Sequence, residues 1–556
     1  MSIRKILNPI LLSSLSAAIM LSAVIQPPRA EAMQRGGVVS VVSLAEPELL
    51  NPVFDNSPAA EDLYNLIFSA LIKENSRSEL EPDLVQTVPT AQNGMVKMQP
   101  DGSMSVTYRL RPNLKWHDGK ALTSADIHFT WQSHTDPSIK YPPTPGYEQI
   151  KSVEVLDELT ATVRFHRAYG EYYRLFRQIL PRHAFRSQFW QFSPEHPYNK
   201  HPIGSGPFVL RQWVRGDNAW LEANPNYYRS RPILDQIRYR FKNNDYRSIK
   251  QVLNWVEEGE IVQGMSLASY EYLKNRPDLN LHVVADGQIE HLIFNLSNPV
   301  LADRRVRRAL AYATDRKAIS DLLLGVTEAA YSDQLKDSWK YHTASERMYP
   351  ADLNQARTQL QLAGWRPAES QPSNGQPASE GPEPVRQRDG KSLQLVLTLE
   401  QGNRSHALVA KYLQENWARI GVDLKVKFVA SRVLHDDILP QSDFELVFGT
   451  WTQHPSETAY KRWHSSQVPP QGKNHSHFKD YQVDELVREI QGSVNLRHQK
   501  QLYQKLGALL AEELPVLPLY YGAQLEANHK RLHNYAPNAY MGTTWNSFAW
   551  WLEPRR

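Results

Sequence analysis

One pair of neighbouring residues in this sequence could do acid–base chemistry. His117 stands beside Asp118, and an imidazole next to a carboxylate is a combination that general acid–base catalysis uses. However, Gly119 follows, and Asp-Gly is typical of a tight turn in which Asp bonds its own backbone and Gly accepts a positive φ. We therefore interpret His117-Asp118-Gly119 as a turn rather than as a catalytic pair.

Several histidines invite a metal-site interpretation. His464, His475 and His477 lie within a short span, and His-x-His spacing can ligate a metal ion. No carboxylate or cysteine completes the spacing, so we interpret them as polar loop residues and expect no metal site and no cofactor. His183 is likewise interpreted as a hydrogen-bonded structural residue. The chain has no cysteine, which excludes disulfides and thiolate chemistry.

Two further motifs could bind anions. Gly204-Ser205-Gly206-Pro207 resembles a phosphate loop in composition, but it leads into a strand and offers no helix N-terminus to an anion. Four arginines between Arg304 and Arg308 follow the helix cap Asp303, and we interpret them as a solvated face with cap pairing. No nucleophile elbow, HExxH or Walker pattern is present, which argues against an enzyme, although composition leaves a paired-carboxylate hydrolase open.

Length and composition describe an exported globular protein. The 556 residues are too many for one core, and the net charge of +4 is spread without a basic run, which gives a nucleic-acid role no support. Arg4 and Lys5 precede the mostly apolar stretch Ile6–Ile25 and an Ala-Glu-Ala site that ends at Ala32. We therefore predict a signal peptide over residues 1–32, a periplasmic mature chain and, without a cysteine to acylate, no lipoprotein anchor.

The elements around these motifs alternate between strands and helices. Val106–Leu110 alternates apolar and polar residues, and Thr123 to Asp126 forms a capping box that starts a helix. Phe208–Val214 and Ala219–Ala223 flank a turn and predict a hairpin. The alternation predicts an α/β protein.

Four segments carry a resemblance to a known family. Tyr108–Trp131 (YRLRPNLKWHDGKALTSADIHFTW) resembles the signature of the family 5 extracellular solute-binding proteins, the oligopeptide, dipeptide and nickel receptors of ABC importers. Ile203–Tyr228, Pro299–Leu324 and Glu513–Tyr520 resemble further motifs of that family, in the same order. The resemblance spans essentially the whole mature chain.

The resemblance implies a type II periplasmic-binding fold, with two α/β lobes joined by a hinge and an extra α/β subdomain in the first lobe. On this basis we expect lobe 1 at 33–290 plus 515–556, with the subdomain at about 60–200. Lobe 2 is expected at 291–514, with a flexible insertion at 366–392 that is rich in Pro, Ser, Gln and Gly. Leu281–Asp286 and Ile289–Leu296 are predicted as the two strands that lead to the other lobe, and Glu513–Tyr520 as the return crossing to the first lobe.

The resemblance also implies a ligand site. Peptide-binding members carry a Trp followed three residues later by an Asp that pairs with the α-ammonium of the peptide. Here Trp451 is followed by Gln453 and His454, so an imidazole without fixed negative charge stands in place of the Asp, and Glu457 could compensate. The turn before the first helix, which includes Asn56, is expected to face the cleft. We predict that Trp451, Gln453, His454, Glu457 and Asn56 bind the ligand.

The function implied is delivery of a small solute, with a peptide favoured, to the ABC permease subunits of the inner membrane. Hinge closure around the ligand would be the mechanism, since both lobes would contact it. We expect a monomer that is not an enzyme. A receptor for a sugar or metal chelate, a sensor on the same fold, and a secreted hydrolase remain alternatives.

Overall fold

The structure is a computed structural model, and it describes residues 35–75, 79–139, 144–185, 196–242, 249–265, 269–367, 381–452, 458–538 and 541–554. No helix within these ranges is long and apolar enough to cross a membrane. The predicted signal peptide, residues 1–32, lies outside them.

A single ten-stranded sheet runs through the molecule. Both of its halves contain parallel strands rich in β-branched and leucine residues, as buried parallel strands usually are. In spatial order the strands are Asp423–Val429, Gln394–Glu400, Leu446–Thr452, Leu279–Phe294, Val516–His529, Ile261–Met265, Val38–Ser43, Gln236–Phe241, Asn218–Ala223 and Phe208–Val214. The first three belong to lobe 2 and the last five to lobe 1.

The two long central strands connect the lobes. Leu279–Phe294 and Val516–His529 pair antiparallel, and their register shifts between Ala285 and Ile289 and again at Glu290. The prediction of two separate crossing strands at 281–286 and 289–296 is therefore wrong. They are one 16-residue strand, and the return crossing, expected from Glu513–Tyr520, is the strand Val516–His529. Asp-Gly at 286–287 looks like a turn in sequence, but here it forms the irregularity in the strand, with Gly287 at φ 77°.

Lobe 1 consists of a core beside the sheet and a smaller layered unit. The helices near its half of the sheet are Pro58–Ile67, Ile249–Glu258 and Tyr270–Leu273. The subdomain has the antiparallel strands Val96–Met98, Met104–Arg109, Thr160–Phe165 and Ile150–Val155, with the helix Ser124–Thr135 against them. Its hydrophobic core extends from Leu71 to Ile179, whereas the helix Pro58–Ile67 packs into the core of the main sheet.

Lobe 2 buries two cores. One core contains residues of the helices Arg304–Tyr312, Arg316–Leu322, Leu353–Leu362 and Arg404–Ala418. The other contains residues of Ala459–Trp463, Tyr481–Gly492 and Leu496–Glu513. Ser493–Asn495 separates the last two of these helices, and Asn495 caps the second.

The segment 366–392 is ordered at both ends, contrary to the expectation of a flexible insertion. Arg366–Pro367, Arg386–Arg388 and Lys391–Ser392 form a small three-stranded sheet. The guanidinium of Arg386 is buried and donates to the carbonyl oxygen of Ile420 at 2.9 Å. Residues 368–380 lie outside the described part of the chain.

Candidate ligand-binding cleft

The crossing strands carry polar side chains at the junction of the lobes. Glu290 is buried. Its Oε2 accepts a hydrogen bond from the hydroxyl of Thr450 at 2.8 Å and lies 3.1 Å from Nε2 of His406. His406 comes from a lobe 2 helix and stacks on Phe448 with ring centroids 3.9 Å apart. These contacts fix the first crossing strand to lobe 2, so bending must occur on the lobe 1 side of Glu290.

Trp451 lies in a stack of side chains rather than in open solvent. Its ring is 3.6 Å from that of His291 between centroids, and the guanidinium carbon of Arg462 lies 4.6 Å from the indole centroid. Trp463 packs edge-on at 5.4 Å and donates its indole N–H to Asp333 at 2.8 Å. Trp451 is consequently only 8% exposed. It can form a wall of a cleft, but most of its surface is already covered.

His291, the partner of Trp451, is held as a neutral ring. It has no exposed surface, and its Nδ1 lies 2.9 Å from the carbonyl oxygen of Ile289. Burial lowers the pKa of His291 to about 3. The imidazole is therefore uncharged at neutral pH, and Nδ1 carries the proton that it donates to Ile289.

The remaining predicted ligand residues are only partly placed. Gln453, His454 and Glu457 lie outside the described residues. Asn56 is exposed and belongs to lobe 1, in the turn that precedes the helix Pro58–Ile67. Asp55 shapes that turn by accepting from the backbone N–H groups of Glu48 and Ser57. Asn56 and Trp451 are thus on opposite lobes, and a ligand that contacted both would bridge them.

A second contact joins the lobes, away from the crossing strands. The backbone N–H of Gly170, in the subdomain, donates to the carbonyl oxygen of Gln491 in lobe 2 at 3.1 Å. A Cβ at Gly170 would come within 2.2 Å of Ser493 O and of the Gln499 side chain, so only glycine fits. Next to it, Lys340 Nζ of lobe 2 lies 3.3 Å from Glu171 Oε1. We call these groups the subdomain contact.

The ion pair of the subdomain contact is largely removed from water. The side chain of Lys340 is 8% exposed and that of Glu171 is 13% exposed. Burial lowers the pKa of Lys340, while the charges of Arg174 and Lys340 outweigh burial and hold the pKa of Glu171 below its ordinary value. Arg174 also pairs with Glu74 at 3.5 Å. A buried pair of this kind is costly to break by removing one partner.

The first signature segment holds the subdomain to lobe 1. His117 Nδ1 accepts from the N–H of Gly204 at 3.2 Å, and Nε2 donates to the carbonyl oxygen of Gly206 at 3.2 Å. Burial lowers the pKa of His117 to about 4. Asp118 instead accepts from Lys120 N at 3.2 Å and pairs with His183 at 2.8 Å. The interpretation as a structural turn is confirmed, because His117 and Asp118 bond to other groups.

The second signature loop is a packing motif. Gly206 N donates to Ile67 O at 2.8 Å, and a Cβ at Gly204 would lie 1.8 Å from the same oxygen. The loop therefore closes on the C-terminal end of a helix, which has the wrong polarity for a phosphate. The capping box is also present, with Thr123 N donating to Asp126 at 2.9 Å.

The clustered arginines are paired within the protein. Arg307 is buried and donates to four carbonyl oxygens: those of Leu301, Ala302, Glu513 and Leu514. Its neighbours pair with Asp303, Glu512 and Glu513. These arginines attach their helix to the residues that lead into the second crossing strand, and they leave no anionic-ligand site here.

The three clustered histidines each contact a protein oxygen. His464 Nδ1 lies 2.8 Å from the hydroxyl of Ser466, and His477 Nε2 lies 2.7 Å from that of Ser442. His475 Nδ1 lies 3.3 Å from the carbonyl oxygen of Leu439. Among the residues that the structure describes, no three His, Cys, Asp or Glu side chains are grouped to hold a metal ion.

Two lobes on one sheet, with two crossings and a subdomain, fit the expected architecture, and comparison with known proteins agrees. The family model "Bacterial extracellular solute-binding proteins, family 5 Middle" matches residues 79–470. The chain belongs to this family. Its fold is the two-lobe type II periplasmic-binding fold of these proteins, and its role is to bind a solute.

Relatives of this family 5 protein cover nearly its whole length. The oligopeptide-binding protein AppA of Bacillus subtilis is 27% identical over 528 residues, which are 93% of this chain and 92% of AppA. The structure of AppA with a nonapeptide aligns with a TM-score of 0.65 at 25% identity, over 94% of this chain and 100% of that one. NikZ from Campylobacter jejuni, solved with Ni(L-His), aligns at 0.68 with 22% identity, over 92% and 99%. Its likeness shows the fold.

Sequence reasoning about this family 5 protein did not find the groups that organise the junction. Glu290 and His291 lie inside a predicted strand, and no sequence motif marks Glu171 or Lys340. Two polar neighbours within the otherwise apolar stretch 289–294 are the signal that could have marked Glu290 and His291, since buried polar groups need partners. Nothing in the sequence relates Glu171 to Lys340, which are 169 residues apart.

Proposed function

We propose that this family 5 protein binds a peptide between its lobes and delivers it to the permease of an ABC importer. One observation carries the proposal: the lobes share a sheet in which the two connecting strands lose register with each other between Ala285 and Ile289. Such a break lets one lobe rotate against the other while each keeps its own core. Closure would then be driven by contacts that both lobes make with a ligand.

AppA supports a peptide as the ligand, since that relative is an oligopeptide-binding protein and was solved with a nonapeptide. We propose Trp451, Gln453, His454 and Glu457 as the lobe 2 residues that contact it and Asn56 as the lobe 1 residue. We also propose a periplasmic monomer, exported by residues 1–32, that releases its ligand chemically unchanged.

The direct test is to identify what the protein carries. The mature chain, purified under native conditions and then denatured, should release peptides that mass spectrometry can sequence. Peptides added back to refolded protein should raise its melting temperature and be recovered intact. Release of a sugar or a metal chelate instead would refute the peptide assignment, and hydrolysed peptide would refute the role as a binding protein.

The replacement of the expected Asp by His454 gives a second test. His454→Asp should raise affinity for peptides with a free α-ammonium, because a charge-assisted hydrogen bond replaces a neutral one. The gain should be about tenfold for a tetra-alanine peptide and absent for its N-acetylated form. An equal change for both peptides would show that position 454 does not meet the ammonium.

A further inference from the structure

Lobe 2 contains a buried cation that has no anion. Arg316 is 5% exposed, and its Nε donates to the carbonyl oxygen of Pro518 at 2.8 Å. Its guanidinium carbon lies 4.9 Å from the centroid of the Tyr331 ring. Within the described chain, its Nη groups have no hydrogen-bond partner and no carboxylate lies within ion-pair distance. Arg307, by comparison, donates to four carbonyl oxygens.

Arg316 lines a small cavity. The cavity has about 30 Å³ of free space, and Arg316 lines it together with hydroxyl-bearing side chains. Those side chains are Tyr331, Ser332, Ser345 and Tyr349. A volume of this size holds on the order of two water molecules or one monatomic ion. It is too small for a peptide or a sugar.

The electrostatics of the cavity favour a negative occupant. A guanidinium has five N–H donors, and only one of those of Arg316 donates to a residue that the structure describes. Removal from water without a counter-charge is costly, and burial lowers the pKa of Arg316 to about 10. The one carboxylate in the lining, that of Asp333, accepts from Trp463 at 2.8 Å and lies 3.9 Å from Arg462. Its charge is therefore balanced within its own group.

We propose that this cavity binds a monovalent inorganic anion of the size of chloride, held by the Nη groups of Arg316. The cavity contains none of the proposed peptide-binding residues, although Trp463 in its lining packs against Trp451. The bond from Arg316 to Pro518 places the anion beside the second crossing strand, where Ala330 N also donates to Leu519 O at 3.1 Å. An anion there stabilises the attachment of residues 328–332 to the crossing strand, and hence stabilises lobe 2.

The solution test uses the mature chain and sodium chloride. Melting temperature is measured while chloride replaces gluconate, an anion too large for the cavity, at constant ionic strength. Wild type should show a saturable rise of about 3 °C, because a ligand that binds only the folded state stabilises it. Arg316→Gln should lose the rise. Arg432→Gln is the control, since Arg432 is a surface residue with a 91% exposed side chain and should respond as wild type does.

A crystallographic measurement keeps the proposal testable if Arg316→Gln fails to fold. Wild-type crystals grown in sodium bromide should show an anomalous peak in the cavity within hydrogen-bond distance of the Nη atoms of Arg316. Wild-type protein without a saturable chloride effect, or a cavity that holds only water in bromide, would overturn the proposal. Neither result bears on peptide binding, which is assayed separately.

Discussion

Glu526→Gln should stabilise the protein, and by an amount that grows with pH. Glu526 lies on the second crossing strand and has no exposed surface. Burial raises the pKa of its carboxyl to about 8. The hydrogen bond from Tyr535 lowers this pKa, whereas the nearby charge of Asp62 raises it. Glutamine has nearly the same shape and carries no charge at any pH, so it tests the cost of ionising this one group.

The expected magnitude follows from the two proton affinities of Glu526. Below pH 4.5, the ordinary pKa of Glu, the carboxyl is protonated in both the folded and unfolded chains, and its titration contributes nothing. Between pH 4.5 and 8 the unfolded chain loses the proton while the folded chain keeps it, so stability falls as pH rises. Each tenfold difference in proton affinity is worth about 1.4 kcal/mol, which gives about 3 kcal/mol at pH 7 and about 5 kcal/mol above pH 8.

The assay is urea unfolding of wild type and Glu526→Gln at several pH values from 4 to 9. The variant should match wild type near pH 4 and gain about 3 kcal/mol at pH 7. Glu271→Gln removes an exposed carboxyl with a side chain 47% accessible, and should show no such dependence. A gain for Glu526→Gln that is the same at every pH would refute the reasoning, as would a loss at pH 8.

Two further substitutions test the packing of the lobes. Gly204→Ala should lower the free energy of unfolding by about 3 kcal/mol or prevent folding, because its Cβ would lie 1.8 Å from a carbonyl oxygen. Gly492→Ala is the control in the same thermal melts: its Cβ would meet no atom, so the substitution should be tolerated. Lys340→Met should leave Glu171 paired with Arg174 alone, weaken the lobe contact by about 1.5–3 kcal/mol and enlarge the protein, measured without added peptide, in small-angle X-ray scattering. Lys336→Met is the control, because it removes an exposed lysine. If this variant expanded as much as Lys340→Met, the role of Lys340 in joining the lobes would be contradicted.

Local sequence signals predicted the local parts of this structure. The capping box at Thr123, the turn at Gly119 and the hairpin from Phe208 depend on neighbours in the chain, and each was found where the sequence placed it. The predicted ligand residues fared differently. The structure describes Trp451, and its ring is covered by His291 and Arg462. No local sequence pattern connects these two residues with Trp451.

Long-range pairing explains what the sequence did not reveal. The first crossing strand was divided at Asp-Gly 286–287 because this dipeptide is a turn signal on its own. In the fold, pairing with Val516–His529 keeps the strand continuous on both sides of the irregularity. Glu526 is hidden for the same reason, since its strand is covered on both sides by pairing with the distant strands Ile261–Met265 and Leu279–Phe294.

The subdomain contact changes how the energy of closure must be divided. If the crossing strands were the sole connection, every contact that favours closure would come from the ligand. Here Gly170 and Lys340 also join the subdomain to lobe 2, so opening must break a hydrogen bond and a buried ion pair. A ligand shifts the equilibrium only by its differential affinity for the two forms. The subdomain contact therefore sets how large a differential affinity a ligand needs in order to close the protein. The cleft residues determine which ligand has that affinity.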